Sequence, residues 1–286
     1  MKKNLRFWVF LLCLVLFVTL FDTGIAYFGE ELWRYSSYND FDTTKAAHPE
    51  DVWDRVFFGN SAVVSAYREE LSESGYVNLG LAYGVVTDLW EMLHQGHLKV
   101  GSELVVGLNL FALYDDLDTN PAYIWHRDPM EPYVYFHRDK LLRIGKDCLS
   151  MLLGRDVSSP GKLLSYGTMS QEELEQKVAE YQKTYFNLPI DDFQENLEAL
   201  DRVADWCSDH GVRLRIVWMQ FHPEVERPEL MLELMDLVND WCAKRSITVA
   251  DFSDKLDKSC FYDVGHLNDE IGAVKFTEVI DPWLLG

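Results

Sequence analysis

The sequence predicts an α/β protein: a three-layer α/β/α domain built on a parallel sheet of about five strands and preceded by one N-terminal transmembrane helix. Two observations carry this. Short apolar runs closed by glycine or asparagine alternate with stretches of helical hydrophobic spacing, the pattern of parallel strands joined by right-handed crossovers. An unbroken apolar run of 15 residues, Phe7–Phe21, stands behind Lys2, Lys3 and Arg6. Composition agrees, since 286 residues with 48% hydrophobic and 26% charged side chains can fill a packed core.

Fifteen apolar residues suit a signal-peptide core, whereas roughly 20 span a bilayer. Leu5–Phe28 reaches 24 if Asp22 lies at the outer interface, where its carboxylate stays wet, and Gly24-Ile25-Ala26 is a poor cleavage pair. Residues 1–28 therefore read as a signal-anchor in preference to a cleaved peptide. Basic flanks stay in the cytoplasm, so the remainder is expected outside it, in a single-pass arrangement. Residues 29–53, polar and aromatic without a period, read as a stalk or lead-in, and residues 54–286 as the α/β domain.

Within that domain Arg55–Phe58 is the first strand, closed by Gly59-Asn60-Ser61, and Ala62–Ser72 a helix. Tyr76–Leu79 is a second strand ending at Gly80, Val85–Leu98 a helix, and Glu103–Leu108 a third, buried strand. The alternation resumes with the amphipathic stretch Asp192–His210, stopped by Gly211. Strand Val212–Met219, a helix opened by Pro228, strand Ile247–Phe252 and helix Asn268–Ile280 complete it. Residues 110–190 break the pattern and are too long for a simple loop. They read as an insertion over the carboxyl edge of the sheet, where α/β domains bind ligands.

The charge is one-sided, with 26 Lys+Arg against 47 Asp+Glu and a formal net charge of −21. Such a chain repels phosphate backbones, which excludes nucleic acid as a partner. Beyond residue 28 the balance is 23 against 46, so a generic anionic lipid surface is expected to repel that part as well. Four of the five cysteines, Cys148, Cys207, Cys242 and Cys260, face an oxidising compartment on this topology, where disulfides are permitted. Cys207 and Cys242 each follow a tryptophan on a predicted helix and read as buried thiols. No C-x-x-C occurs.

Several apparent motifs fail on spacing. Gly154…Gly161-Lys162 has six residues between its glycines and Leu163 after the lysine, unlike a phosphate loop. Asp116-x-Asp118-x-Asn120 begins like a calcium loop but has Pro121 where glycine must turn. His94 and His97 lack a carboxylate to complete a zinc site, and Ser61-Ala62-Val63 is no G-x-S-x-G elbow. Neither a metal nor an organic cofactor is implied.

The constellation that does carry chemistry is dispersed. Ser61 follows the first strand, Gly80 ends the second, Asn109 follows the third, and Asp263 and His266 lie three apart before the last helix. Parallel strands open their carboxyl ends on one edge, so these residues can converge. A hydroxyl, an imidazole and a carboxylate make an activated serine: Ser61 as nucleophile, His266 as base, Asp263 as its orienting partner. The N–H groups of Ser61 and Gly80 with the Asn109 amide would form an oxyanion hole.

These residues resemble the four motifs of the SGNH (GDSL-type) hydrolases, which supply Ser, Gly, Asn and His in chain order. Phe58-Gly59-Asn60-Ser61 is similar to the nucleophile motif, with Asn60 where aspartate is common. Gly80 fits the second and Gly107-Leu108-Asn109-Leu110 the third, with Leu110 in place of its final aspartate. Asp263-Val264-Gly265-His266 fits the fourth. The resemblance covers roughly residues 54–109 and 192–280 and implies serine-dependent acyl-ester chemistry, either esterase or O-acyltransferase. One anchor before an outward domain also resembles bacterial envelope proteins of the teichoic-acid D-alanylation type. That implies as partners an acylated or acyl-accepting glycan and a membrane-bound O-acyltransferase. Tyr123 and Trp125 are the first choices for stacking on a sugar, although aromatic residues of such an insertion are commonly local core. His126, His137 and His222 read as structural. A non-catalytic anchored protein that binds a polymer or an acyltransferase is the rival reading, and a lipid-directed esterase a third.

Overall fold

The computed structural model describes residues 2–29, 39–155 and 165–286. The Gly161-Lys162 pair and residues 30–38 of the expected stalk lie outside the described residues. In chain order the elements begin with α1 (Lys2–Tyr27), α2 (Asp40–Ala47), β1 (Trp53–Gly59), α3 (Ser61–Ala66), β2 (Val77–Gly80), α4 (Val86–His94), β3 (Val100–Leu108) and α5 (Leu110–Leu113). There follow α6 (Tyr133–Phe136), α7 (Arg138–Leu152), α8 (Gln171–Thr184), α9 (Gln194–His210), β4 (Arg213–Trp218), α10 (Glu229–Arg245), β5 (Thr248–Asp251) and α11 (Gly272–Leu285). The chain divides into two compact units, one of residues 1–46 with 121–160, the other of residues 47–120 with 161–286.

The larger unit holds the sheet. Its five strands are all parallel, in the order β2-β1-β3-β4-β5. Strands hidden on both faces run apolar without alternation, and Val56, Phe57 and Phe58 of β1 are fully buried. One face, with Phe57, Val105 and Val217, packs on Val63 of α3 and on Phe276 and Ile280 of α11. On the other, the Trp218 indole donates to Asn239 of α10 at 3.0 Å. The chain turns back between β1 and β3, so the segments leaving these two strands part and leave a crevice at their carboxyl ends.

Three glycines set the floor of that crevice. A Cβ on Gly59 or Gly107 would collide with Val63, and one on Gly80 would sit 2.6 Å from the backbone nitrogen of Val64. Only bare backbone at these strand ends lets α3 lie directly on the sheet. At the opposite end of the strands Arg215, 1% exposed, pairs with Glu103 (Nε–Oε1 2.6 Å) and donates to the Tyr76 hydroxyl at 2.6 Å. It also donates to the carbonyls of Trp283 and Leu284 at 2.6 and 2.9 Å. The guanidinium thus satisfies the orphan acceptors at the end of α11. This helix runs through Pro282 to Leu285, past the Ile280 boundary expected from sequence. The helix expected over Ala62–Ser72 stops at Ala66, because Tyr67 takes up extended backbone and buries its ring.

In the smaller unit α1 contains a 24-residue stretch, Asn4–Tyr27, with hydropathy 2.4, long and apolar enough to cross a membrane. Its Asp22 carboxylate accepts from the N–H groups of Tyr133 (3.1 Å) and Val134 (2.7 Å), the first two residues of α6. It is an N-cap donated from elsewhere in the chain, rather than a group turned only toward water. Lys140 is buried and paired with Asp42 (2.6 Å). His137 is packed against the rings of Tyr133 and Phe136. Burial, reinforced by Lys140 and Arg127, pushes its pKa down to about 4. The expected insertion is therefore split: residues 121–160 belong with the N-terminal helices, and residues 165–190 with the sheet. All five cysteines are free thiols; burial pushes Cys207 up to about 12 and Cys242 to about 11, while Cys148 is exposed.

Candidate active site

The loop after β1 is organised by Asn60. Its side-chain oxygen caps α3 by accepting from the Ala62 N–H at 3.0 Å. Ser61 is thereby released from capping and stands as the first residue of the helix. Its hydroxyl lies 2.8 Å from His266 Nε2. On the other side of the ring, Nδ1 lies 2.9 Å from Asp263 Oδ2 and 3.0 Å from Oδ1. Asp263 Oδ1 further accepts from the N–H groups of Gly265 (2.9 Å) and His266 (2.8 Å), which fixes the carboxylate beneath the ring. Burial by itself would raise the Asp263 pKa. The imidazole and the two amides overcome it and hold the carboxyl below its ordinary value.

Asn109 follows β3 and caps α5 by accepting from Ala112 N–H at 2.9 Å. Its amide and that of Asn60 bond reciprocally: Asn60 Nδ2 donates to Asn109 Oδ1 (2.7 Å), and Asn109 Nδ2 donates to Asn60 Oδ1 (3.2 Å). One of the two Nδ2 hydrogens of Asn109 is left for a ligand. Among the described residues no acceptor meets the Ser61 N–H. These are the two donors available to a developing oxyanion.

Gly80 does not share that role. Its N–H is buried and donates to the Asn78 side chain at 2.9 Å, and Gly80 does not line the cavity beside Ser61. The short spacing Asn78-Leu79-Gly80 lets the asparagine fold back on the glycine amide. Tyr123 and Trp125 are likewise removed from the candidates for sugar stacking. Tyr123 precedes and Trp125 lies within a 3₁₀ turn (Ile124–His126) of the smaller unit; they are 1% and 4% exposed and stack on each other at 4.5 Å, with Phe41 edge-on to Trp125 at 5.1 Å. Both rings are buried against neighbouring aromatic residues, so neither is open to a ligand.

A cavity of about 270 Å³ opens beside Ser61, Asn109 and His266. Its apolar wall comes from Phe111, Tyr181, Tyr185, Phe186 and Phe221. Tyr181 and Lys177 project from α8, with the Lys177 ammonium 4.8 Å from the centre of the Tyr181 ring. Burial, and then the Asp263 charge, raise the Tyr181 pKa, so the phenol stays protonated. At the rim Tyr83 is exposed with φ +59°, a conformation unusual for a side chain of this size. Gln220 follows β4 and donates to the carbonyls of Ala62 (3.1 Å) and Gly265 (2.9 Å), tying the serine helix to the histidine loop. The strand-end rule that selected Ser61 and Asn109 also selects Gln220. No local signal marked Tyr181, Tyr185 or Phe186, because α8 returns to the sheet only through long-range packing.

No protein-family model matches the chain, and no curated protein matches it. The geometry of the site and the sequence motifs are therefore the grounds for a functional reading.

Proposed function

We propose that the larger unit is a serine-dependent acyl-ester enzyme of the SGNH type, acting on an envelope or exported glycan outside the cytoplasm, with α1 as its membrane anchor. The observation that carries this reading is the unbroken relay of hydrogen-bond distances Ser61 Oγ–His266 Nε2 and His266 Nδ1–Asp263. In the forward step Ser61 Oγ attacks the ester carbonyl and His266 Nε2 takes its proton. Asp263 stays ionised and stabilises the imidazolium. The Ser61 N–H and Asn109 Nδ2–H receive the charge on the carbonyl oxygen, which was preorganised for by the Asn60–Asn109 pair. His266 then returns the proton to the leaving alcohol, and an acyl-Ser61 ester remains. Water as second acceptor gives hydrolysis; a glycan hydroxyl gives transfer. The aromatic wall beside Ser61 suits the acyl portion, and the exposed Tyr83 ring suits a sugar at the rim.

A fluorophosphonate probe tests the reading on the full-length protein in detergent. Stoichiometric labelling that disappears in Ser61→Ala supports it. Folded protein that resists the probe would overturn it in favour of a non-catalytic anchored binding protein.

A further inference from the structure

Outside the candidate site, the feature without an assigned purpose is the surface of α7. Large apolar side chains lie open on it: Leu142, Leu149, Leu152 and, just past its end, Leu153. Their spacing of seven, three and then one residue, or seven and four from Leu142 to Leu153, places these four leucines on one side of a 3.6-residue helix, with the exposed Met151 on the other. Leu152 is 84% exposed. A soluble surface carries single exposed leucines without consequence, but a row of them along one helix marks a contact surface.

The charge on this segment is opposite to that of the chain. Residues 138–155 carry Arg138, Lys140, Arg143, Lys146 and Arg155 against Asp139 and Asp147, in a protein whose net charge is −21. Arg138 and Lys146 are exposed on the same side as the leucines, and the Arg138 guanidinium rests 4.6 Å over the Tyr135 ring. Long basic side chains that flank an apolar stripe keep their charge at headgroup level while their stems follow the apolar surface.

Continuity with the apolar helix decides the occupant. α7 begins directly after α6, whose first two amides are held by Asp22, near the end of the 24-residue apolar stretch of α1. The stripe is therefore joined, within one compact unit, to the helix suited to enter a bilayer.

We propose that α7 lies in the plane of the membrane interface, with Leu142, Leu149, Leu152 and Leu153 inserted among acyl chains and Arg138 and Lys146 on anionic phospholipid headgroups. Such helices sink their apolar face about 5–10 Å into the headgroup boundary. The repulsion expected between an anionic lipid surface and the acidic outer chain is locally reversed here.

The test uses full-length protein reconstituted into phosphatidylcholine–phosphatidylglycerol vesicles. Cys13 and Cys148 are replaced by serine, and an environment-sensitive fluorophore is attached at Leu149→Cys, Leu152→Cys, Asp147→Cys or, on α10, Leu232→Cys. Labels at 149 and 152 are expected to emit to the blue of those at 147 and 232. They are expected to be quenched by nitroxide-bearing lipid and protected from iodide. Arg138→Glu with Lys146→Glu, or omission of phosphatidylglycerol, should weaken the lipid quenching. Equal access of iodide to all four positions overturns the proposal. So does protection at 149 and 152 without lipid quenching, the result expected if a protein surface, such as a second copy or an integral membrane partner, covers the stripe.

Discussion

The two units each build an environment around a histidine, and they do it in opposite ways. In the larger unit His266 stands between a hydroxyl and a buried carboxylate, so a proton that arrives on the ring is met by negative charge. In the smaller unit His137 is buried against two aromatic rings, near Lys140 and Arg127, and a proton that arrives there is met by positive charge. The first arrangement sets a hydroxyl and a carboxylate against the two ring nitrogens; the second surrounds the ring with cations that disfavour its protonation. Each ring meets a charged residue three positions away in sequence, Asp263 before His266 and Lys140 after His137, and the difference lies in the sign of that charge.

The sharpest way to break the contrast is to disable the relay. Ser61→Ala and His266→Ala should each lower turnover of a small acyl ester by roughly 10⁴-fold or more, and the double variant should be scarcely worse than either, because residues that act as a unit do not lose additively. Additive losses in steady-state kinetics would separate the two residues. Asn109 comes next. Since it caps α5, Asn109→Ala confounds activity with a cap loss of about 1 kcal/mol. Asn109→Asp keeps the acceptor and removes the donor, and is expected to cost roughly 10²–10³ in turnover. A fully active Asn109→Asp enzyme would take Asn109 out of the oxyanion site.

His137 offers the complementary test. Its pKa is near 4 in the folded state and ordinary when unfolded, so between pH 6.5 and 4 the unfolded chain binds the extra proton. Stability is complete above pH 6.5 and falls as the pH drops toward 4, by up to about 3 kcal/mol. Urea midpoints should show that slope in the wild type and a shallower one in His137→Gln; identical slopes would remove His137 from the account. The smallest effect is expected at the rim. Tyr83→Ala should raise KM for a glycan ester several-fold, in keeping with the loss of about 1 kcal/mol of ring contact. It should leave kcat and the reaction with small esters alone, and a fall in kcat instead would place Tyr83 nearer the chemistry.

Much of the larger unit was legible because parallel strands announce themselves twice, by buried apolar runs and by the small or polar residues where they stop. Each of the five strands falls within a few residues of its expected place, and the position of Ser61 and Asn109 at the carboxyl ends of neighbouring strands follows from the topology. What sequence could not resolve was competition for the same hydrogen. Gly80 has the right position, but the Asn78 side chain reaches its N–H first. Nor could composition distinguish aromatic residues that face inward from those that face a ligand. Tyr123 and Trp125 satisfy one another within a turn, while Tyr181 and Tyr185 reach Phe111 across about 70 positions of chain. The split of the insertion was equally hidden, because the bond that organises its first half is made by Asp22, a residue of the N-terminal helix.

That bond also has a history within each molecule's synthesis. Asp22 and the amides it holds are 111 and 112 positions apart. At about 5–20 residues per second, α6 leaves the ribosome roughly ten seconds after the carboxylate that will cap it. Through that interval Asp22 lacks the two amides that hold it in the folded chain, and an ionised group gives up water for hydrocarbon only at a cost of several kcal/mol. On the proposed topology the same side chain would set how deep α1 enters the bilayer while the chain is still being made, and it is a joint between α1 and α6 once the chain is complete.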